Sequence, residues 1–328
     1  MRIALDAVGG DFYPQNPVKG AILAVQENPD LTVILVGPQE MVKNALVAEG
    51  YDGKQIVVQD APEIITMEDS AATAVKAKPN SSIVVGLGLH QKGYSDAFVS
   101  AGHTGALLAA SAFILGRLEG VMRPTIASYF PTVKGFRLLV DAGANLDAKP
   151  EYLYQFGIMG AIYAQNIFDL EAPRIGLLNV GEEDEKGNET LRKAHQMFKA
   201  LPNFVGNIEG RDILPCHADV FVCDGLVGNI LLKFGESLAT ELAPLFKQAM
   251  TDGQLEPAQQ QLVGKVMKMA FSPFDYQRVG GVPFLGVNGV SLVGHGKSSP
   301  EAVKNMIFHA VRMVEARINE KIIAALAG

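Results

Sequence analysis

The stretch DAFVSAGHTGALLAASAFILGRL, residues 96–118, decides the fold class. Its first five residues, Asp96 to Ser100, read as a short buried strand. A turn follows, Ser100-Ala-Gly-His-Thr-Gly105, and an apolar run from Thr104 to Leu118 is long enough for a helix. Glycine in such a turn permits unusual backbone angles and close approach of a ligand to the amides. Strand, glycine turn and helix together form the repeating unit of an α/β protein.

The unit recurs outward from there. Towards the N-terminus, strands are expected at Arg2 to Asp6, Leu31 to Val36 and Gln55 to Gln59, with helices at Val18 to Gln26 and Gln39 to Glu49. Towards the C-terminus, strands are expected at Phe136 to Asp141, Arg174 to Asn179, Asp219 to Cys223 and Val290 to Val293. Helices fill the gaps at Tyr152 to Phe168, Glu189 to Leu201 and Pro300 to Lys321. Alternation of this kind predicts a mostly parallel, doubly wound sheet. No Pro/Ser-rich linker divides the chain, so residues 1–328 are expected to form one integrated domain, with room for two lobes.

One region breaks the pattern. Glu236 to Phe274 reads as two helices joined near Thr251-Asp252-Gly253, with no strand between them. The second carries Leu262, Val263, Val266, Met267, Met269, Ala270 and Phe271 among Lys265 and Lys268. It is either a core or dimer-interface hairpin, or an apolar surface with basic flanks that touches a membrane. Phe271, Phe274 and the methionines suit both.

Composition narrows the function. Of 328 residues, 48% are hydrophobic, enough for a sizeable core. The net charge of −7 disfavours a general nucleic-acid binder and requires a local basic patch for any acidic partner. The spacing of the two cysteines, Cys216 and Cys223, fits neither a redox pair nor a zinc pair. They are expected to be small buried residues in a reducing cytosol. The opening MRIALDAVGGD is strand-like, with no signal-peptide pattern, and no run of about 18 apolar residues suggests a membrane span.

Common catalytic signatures fail. Gly86-Leu-Gly88 is followed by Gln91 where a dinucleotide fingerprint needs glycine. Gly296-Lys297-Ser298 ends like a P-loop, but Ser291 stands where the loop's first glycine belongs. No nucleophile elbow, SxxK or HExxH occurs, the six histidines are scattered, and neither cofactor nor metal is expected. The acidic run Glu182 to Glu185 reads as a solvated turn, with a metal cluster as the alternative.

Ligands of open α/β sheets bind beyond the carboxyl ends of strands. Five polar, glycine-bearing loops fall there: Asp6 to Asp11, Ser100 to Gly105, Asp141 to Asn145, Asn179 to Glu183 and Asp224 to Asn229. Amides at a helix N-terminus bind anions, so these loops suit phosphate; each alone also reads as an ordinary tight turn.

The segments MRIALDAVGGD, VSAGHTGALLAA, DAGANLDAKPEYLYQFGIMG, GLLNVGEEDEKGNE, GNIEGRDI, VFVCDGLVGNILLK and GGVPFLGVNGV…HGKSS, in order along the chain, resemble the bacterial phosphate acyltransferase family of phospholipid synthesis. The resemblance implies a three-layer α/β/α fold related to phosphotransacetylases and isocitrate dehydrogenase-like proteins. It also implies a homodimer, an acyl carrier protein as donor, inorganic phosphate as acceptor, acyl phosphate as product and peripheral membrane association. The product would feed a glycerol-3-phosphate acyltransferase. Where the family's SAGxTGAL segment carries asparagine, this chain has His103, whose ring can still donate a hydrogen bond.

Phosphate is already an anionic nucleophile, so direct attack on a thioester needs alignment and oxyanion stabilisation rather than an acyl-enzyme. The candidate catalytic residues are Lys186 as the cation, Asn229 as a donor to the carbonyl oxygen and Asp224 as an orienter. Gly102, His103, Thr104, Gly105, Asn145 and Arg211 are the phosphate candidates. Lys186 is otherwise a solvent-facing lysine, Asn229 a helix cap and Arg211 a structural partner of Asp212 or a neighbour. Leu107, Leu108 and the hairpin are candidate walls for an acyl chain. Lys265, Lys268 and Arg278, or Arg312, Arg317 and Lys321, are candidate carrier contacts. A coenzyme A-dependent phosphotransacetylase and a non-catalytic membrane-surface scaffold are the competing readings.

Overall fold

Strand β1 (Arg2–Asp6) is buried from Ile3 onward and is flanked by two parallel strands. The computed structural model describes residues 1–271, 277 and 279–327. Phe274 and Arg278 lie outside them. In chain order, β1 leads to α1 (Gln15–Glu27), β2 (Thr32–Gly37), α2 (Gln39–Ala48), β3 (Ile56–Asp60), α3 (Ala71–Ala77), α4 (Ser82–Gln91), β4 (Ala97–Ser100) and α5 (Thr104–Ala110). Next come β5 (Thr125–Thr132), β6 (Gly135–Val140), α6 (Pro150–Ile167), β7 (Ile175–Leu178), α7 (Glu189–Phe198), β8 (Phe204–Ile208), β9 (Val220–Val222), α8 (Gly225–Asp252) and α9 (Pro257–Phe271). The chain closes with β10 (Val282–Leu285), β11 (Ser291–Val293), α10 (Pro300–Glu315) and α11 (Ile318–Ala327). The fold is α/β, mostly parallel, with helices on both sides of the strands.

The contacts divide the chain into two compact units, one of Met1–Ala127, Ile158–Ala172 and Tyr276–Gly328, the other of Ser128–Gly157 and Pro173–Asp275. In the first, β3, β2, β1, β4 and β11 run parallel in that order, and β10 pairs antiparallel to β11. Helix α1 packs on α10 so closely that a Cβ on Gly20 would lie 2.5 Å from Val303 Cβ. In the second unit the order is β6, β9, β7, β8, all parallel. Its core joins Phe130, Leu139, Leu178, Ile208, Ile213, Ala218, Phe221 and Cys223. Both cysteines are buried and free.

Beyond β5, β8, β10 and α3, which the sequence reading leaves out, three local outcomes differ from it. The helix after Ser100 changes to a π-helical turn at Ser111–Leu115 and stops at Gly116, whose φ of +80° ends it short of Leu118. The expected last helix breaks between Glu315 and Ile318, where Arg317 takes a φ of +53°. Ser82–Gln91, whose β-branched run lacks an amphipathic period, is helix α4, capped by Ser81. Gly86 of that helix packs on Phe98, where a Cβ would lie 2.1 Å from the ring, so the failed dinucleotide fingerprint is a packing glycine.

Helices α8 and α9 follow β9 without an intervening strand and are joined at residues 253–256. Helix α8 begins at Gly225, well before Glu236, because Asp224 caps it by accepting from Val227 N at 2.8 Å. Helix α9 has no buried residue among those described, which removes the core-helix reading of its apolar face. No helix of the described residues is long and apolar enough to cross a membrane.

Candidate active site

Parallel strands side by side deliver the loops at their carboxyl ends to one edge. In the second unit those strands are β6, β9, β7 and β8. The loops that follow carry Asn145, then Asp224 and Asn229, then Lys186, then Arg211. Five of the nine residues singled out in the sequence therefore share one sheet edge.

The loop after β6 is built on Asp141, which is fully buried. Asp141 Oδ1 accepts from Gly143 N at 3.1 Å and Ala144 N at 3.0 Å, and Oδ2 from Asn145 N at 2.6 Å and Asn145 Nδ2 at 2.8 Å. The Asn145 amide thus shapes the loop, and its carbonyl receives Gly225 N at 2.7 Å. Helix α8 starts against this loop backbone to backbone. A Cβ on Gly225 would sit 2.9 Å from Asn145 N, and one on Gly228 only 1.8 Å from Asp141 O. The same approach puts Asn229, an exposed residue in the first turn of α8, beside Gly143, whose φ is +129°. Burial, reinforced by Asp141 and Asp224, pushes the Cys223 thiol well above its usual range, so this central sulfur is no nucleophile.

The loop after β7 carries the acidic run, and each carboxylate faces a cation where a partner is seen. Glu183 lies 3.8 Å from Lys186 Nζ, Glu182 lies 3.3 Å from Arg211 Nη2, and Asp184 meets both His195 at 3.1 Å and Lys199 at 2.6 Å. The bonded Lys199 ammonium, with His195 beside it, holds the Asp184 carboxyl below its usual range. Lys186 stays 46% exposed, loosely held at its tip, while its stem lies over Gly181. Arg211 pairs with Glu209 at 3.0 Å as well as Glu182. Asp212 instead accepts from Glu209 N and faces His217.

In the first unit, β1, β4 and β11 are parallel neighbours and bring three loops to one edge. Buried Asp6 organises two of them: it accepts from Ser100 Oγ at 2.6 Å and Val8 N at 3.1 Å, and Ser100 Oγ accepts from Gly102 N at 3.0 Å. Burial raises the Asp6 carboxyl above its usual range, against the pull of the Ser100 and Ser82 hydroxyls and the loop amides. Gly9 fits where a Cβ would lie 2.7 Å from Asp6 Oδ2 and 2.9 Å from Gly102 N.

The third loop follows β11. Asp11 N donates to Gly296 O at 2.7 Å, so the segment that failed as a P-loop lies against the first loop, with Lys297 exposed beside it. Lys297 and Asp6 were not singled out as site residues. The HGKSS segment was the only available signal for Lys297.

His103 caps α5. Its Nδ1 accepts from Ala106 N at 3.3 Å, and its Nε2 faces Asp69 O at 3.1 Å. Both ring nitrogens are thus engaged by the loop's own architecture. Thr104 is exposed at the first position of α5, and Gly105 packs against Ala71. Leu107 is fully buried in the core, and Leu108 is partly exposed.

Known proteins resemble the chain in sequence and in fold. A family model described as "Fatty acid synthesis protein" matches residues 1–321. A phosphate acyltransferase of Chlorobaculum parvum is 47% identical, covering 100% of this chain and 99% of its own. One from Chlorobaculum tepidum is 48% identical over 98% of this chain and all of its own. Among solved structures, a phosphotransacetylase from Streptococcus pyogenes superposes with a TM-score of 0.64 at 17% identity, over 97% of this chain and 94% of that one, a likeness of fold. Near-complete coverage at such identity settles the question of descent: the chain belongs to the phosphate acyltransferase family of fatty acid synthesis proteins.

Proposed function

We propose that this enzyme moves a fatty acyl group from the thioester of an acyl carrier protein to inorganic phosphate. The acyl phosphate formed would then acylate glycerol 3-phosphate. The observation that carries the reading is the gathering of Asn145, Asp224, Asn229, Lys186 and Arg211 at one sheet edge of a phosphate acyltransferase relative.

A phosphate oxygen attacks the thioester carbonyl carbon, the tetrahedral oxyanion collapses, and the C–S bond breaks to release the carrier's thiolate, which takes a proton from water. Lys186 holds phosphate or neutralises the oxyanion, and Asn229 donates to the carbonyl oxygen. Asp224 fixes the start of α8 and so the position of Asn229. Gly102, His103, Thr104, Gly105, Asn145 and Arg211 form phosphate-binding loops. His103, already held at both nitrogens, shapes its loop rather than supplying a free donor.

The carrier is acidic by expectation and needs exposed cations. Lys265 and Lys268 are exposed on α9. Arg317 pairs with Glu320, Lys321 with Asn166, and Arg312 donates to Ile167 O at 2.7 Å, so the last helices are the weaker candidate. The apolar face of α9, with Leu262, Val266 and Met269 more than half exposed, fits a second copy of the chain; a membrane surface is the alternative occupant.

The phosphotransacetylase-like fold makes coenzyme A the competing donor. Incubation with labelled phosphate and either palmitoyl-carrier protein or acetyl-coenzyme A separates the two. A hydroxylamine-sensitive labelled product should form from the palmitoyl carrier and not from acetyl-coenzyme A; the reverse preference would overturn the reading. In the same assay Lys186→Ala should lower kcat on the order of a hundred-fold, and an unchanged rate would remove Lys186 from the mechanism.

A further inference from the structure

Behind the exposed Lys186 loop lies a buried histidine to which nothing above gives a role. His195 sits on α7 at 2% side-chain exposure, edge-on to the Phe204 ring with centroids 5.2 Å apart. Its two nitrogens reach opposite partners. Nε2 lies 3.1 Å from Asp184 Oδ1, and Nδ1 lies 3.0 Å from Asn207 Oδ1. The Asn207 amide is oriented by its other end, since Nδ2 donates to Glu183 O at 2.7 Å. Asp184 Oδ1 and Asn207 Oδ1 therefore face the two ring nitrogens from opposite sides.

The Glu183 carbonyl also accepts from Lys186 N at 3.1 Å. One buried ring thus grips the turn at two consecutive residues, at Asp184 directly and at Glu183 through Asn207. The carbonyl so held is one of two anchors of the Lys186 backbone, whose own carbonyl accepts from Asn179 Nδ2 at 3.1 Å. Lys199 secures the far side of Asp184 at 2.6 Å. By contrast, the tip of the Lys186 side chain is held by a 3.8 Å ion pair, and its stem lies over Gly181 within the same loop. Its position therefore depends on the backbone of that loop.

We propose that His195 is a positioning residue for the reaction: through Asp184, Asn207 and the Glu183 carbonyl it holds the 183–186 turn so that Lys186 meets the reacting group. The inference rests on the assignment of Lys186 above. A buried positioning network matters because misplacing a catalytic group by about 1 Å costs on the order of a hundred-fold in rate. Asp184 and Asn207 are part of the device, and neither is expected to touch substrate.

The test uses the full chain with palmitoyl-carrier protein and labelled phosphate. His195→Ala and, at the exposed end of the network, Asp184→Ala should each lower kcat on the order of ten-fold or more while KM for the acyl donor stays within about two-fold. Asp184→Ala leaves the core untouched and carries the test if His195→Ala fails to fold. In a Lys186→Ala background the same substitutions should change kcat by less than about two-fold, because they act through the missing lysine. Amide hydrogen exchange at Lys186 should be faster in both single variants.

Equal fractional losses with and without Lys186 would overturn the proposal, as would unchanged exchange at Lys186 in Asp184→Ala. Either result would leave the lysine's own role standing. A Lys186→Ala enzyme at full rate would instead remove the underlying assignment, and the proposal with it.

Discussion

At the scale of single residues, glycine makes room for the backbone of a neighbouring loop. Gly228 is required because the Asp141 carbonyl occupies the space a Cβ would need, at 1.8 Å. Backbone cannot yield as a flexible side chain can. Gly228→Ala should therefore cost at least about 3 kcal/mol of stability, read as a lower urea midpoint, and should displace Asn229 enough to abolish turnover.

A second residue-scale effect is linked to pH. His309 is buried against Tyr163, its Nδ1 faces Gly281 O at 2.9 Å, and burial, aided by the charge of Arg312, lowers its pKa to about 4. The unfolded chain, with histidine near 6.5, binds the proton more readily. Stability from this site is thus complete above pH 6.5 and is lost as pH falls from 6.5 towards 4, at up to roughly 1.4 kcal/mol per unit. Urea unfolding at pH 7 and pH 5 should show a smaller pH difference in His309→Gln than in the parent. Equal differences would mean the ring does not carry the linkage.

At the scale of elements, α9 stands apart from the rest, with no buried residue among those described. Elsewhere helices pack apolar stripes on strands, as α10 does with Val303, Met306 and Ile307 buried. Helix α9 leaves Leu262, Val266 and Met269 exposed, with Lys265 and Lys268 exposed among them. If those lysines dock the acidic carrier, Lys265→Glu with Lys268→Glu should raise KM for palmitoyl-carrier protein at low salt about ten-fold. KM for phosphate should be unchanged, and added salt should shrink the difference. Carrier kinetics unaltered by charge reversal would remove this face as the docking site.

At the scale of the molecule, a second copy of the chain competes with the carrier for the same exposed face. An apolar helix face of this kind is normally covered. Light scattering should give the mass of two chains, and Leu262→Glu with Met269→Glu should shift it to one. A monomer in the parent protein would leave the face for another occupant.

Much of the fold was legible in the sequence because its cues are local. Apolar runs such as Ile3 to Leu5 and Leu138 to Val140, each followed by aspartate and then, within a few residues, by glycine, mark strand and turn within about ten residues. Ser82–Gln91 escaped because its helix is apolar on all sides and so shows no period. The polar loops were equally visible, since Asp, Asn and Gly there have few other uses. By itself the sequence determined the alternation of strands and helices, the inventory of polar glycine-bearing loops and, through ordered segments, the family. Only the tertiary structure decided which loops share an edge, because strand order β6, β9, β7, β8 is not chain order. It alone also decided that His103 is engaged at both nitrogens and that buried His195 lies beneath the Lys186 turn. A side chain's burial and partners are fixed by residues distant in sequence, and no local window contains them.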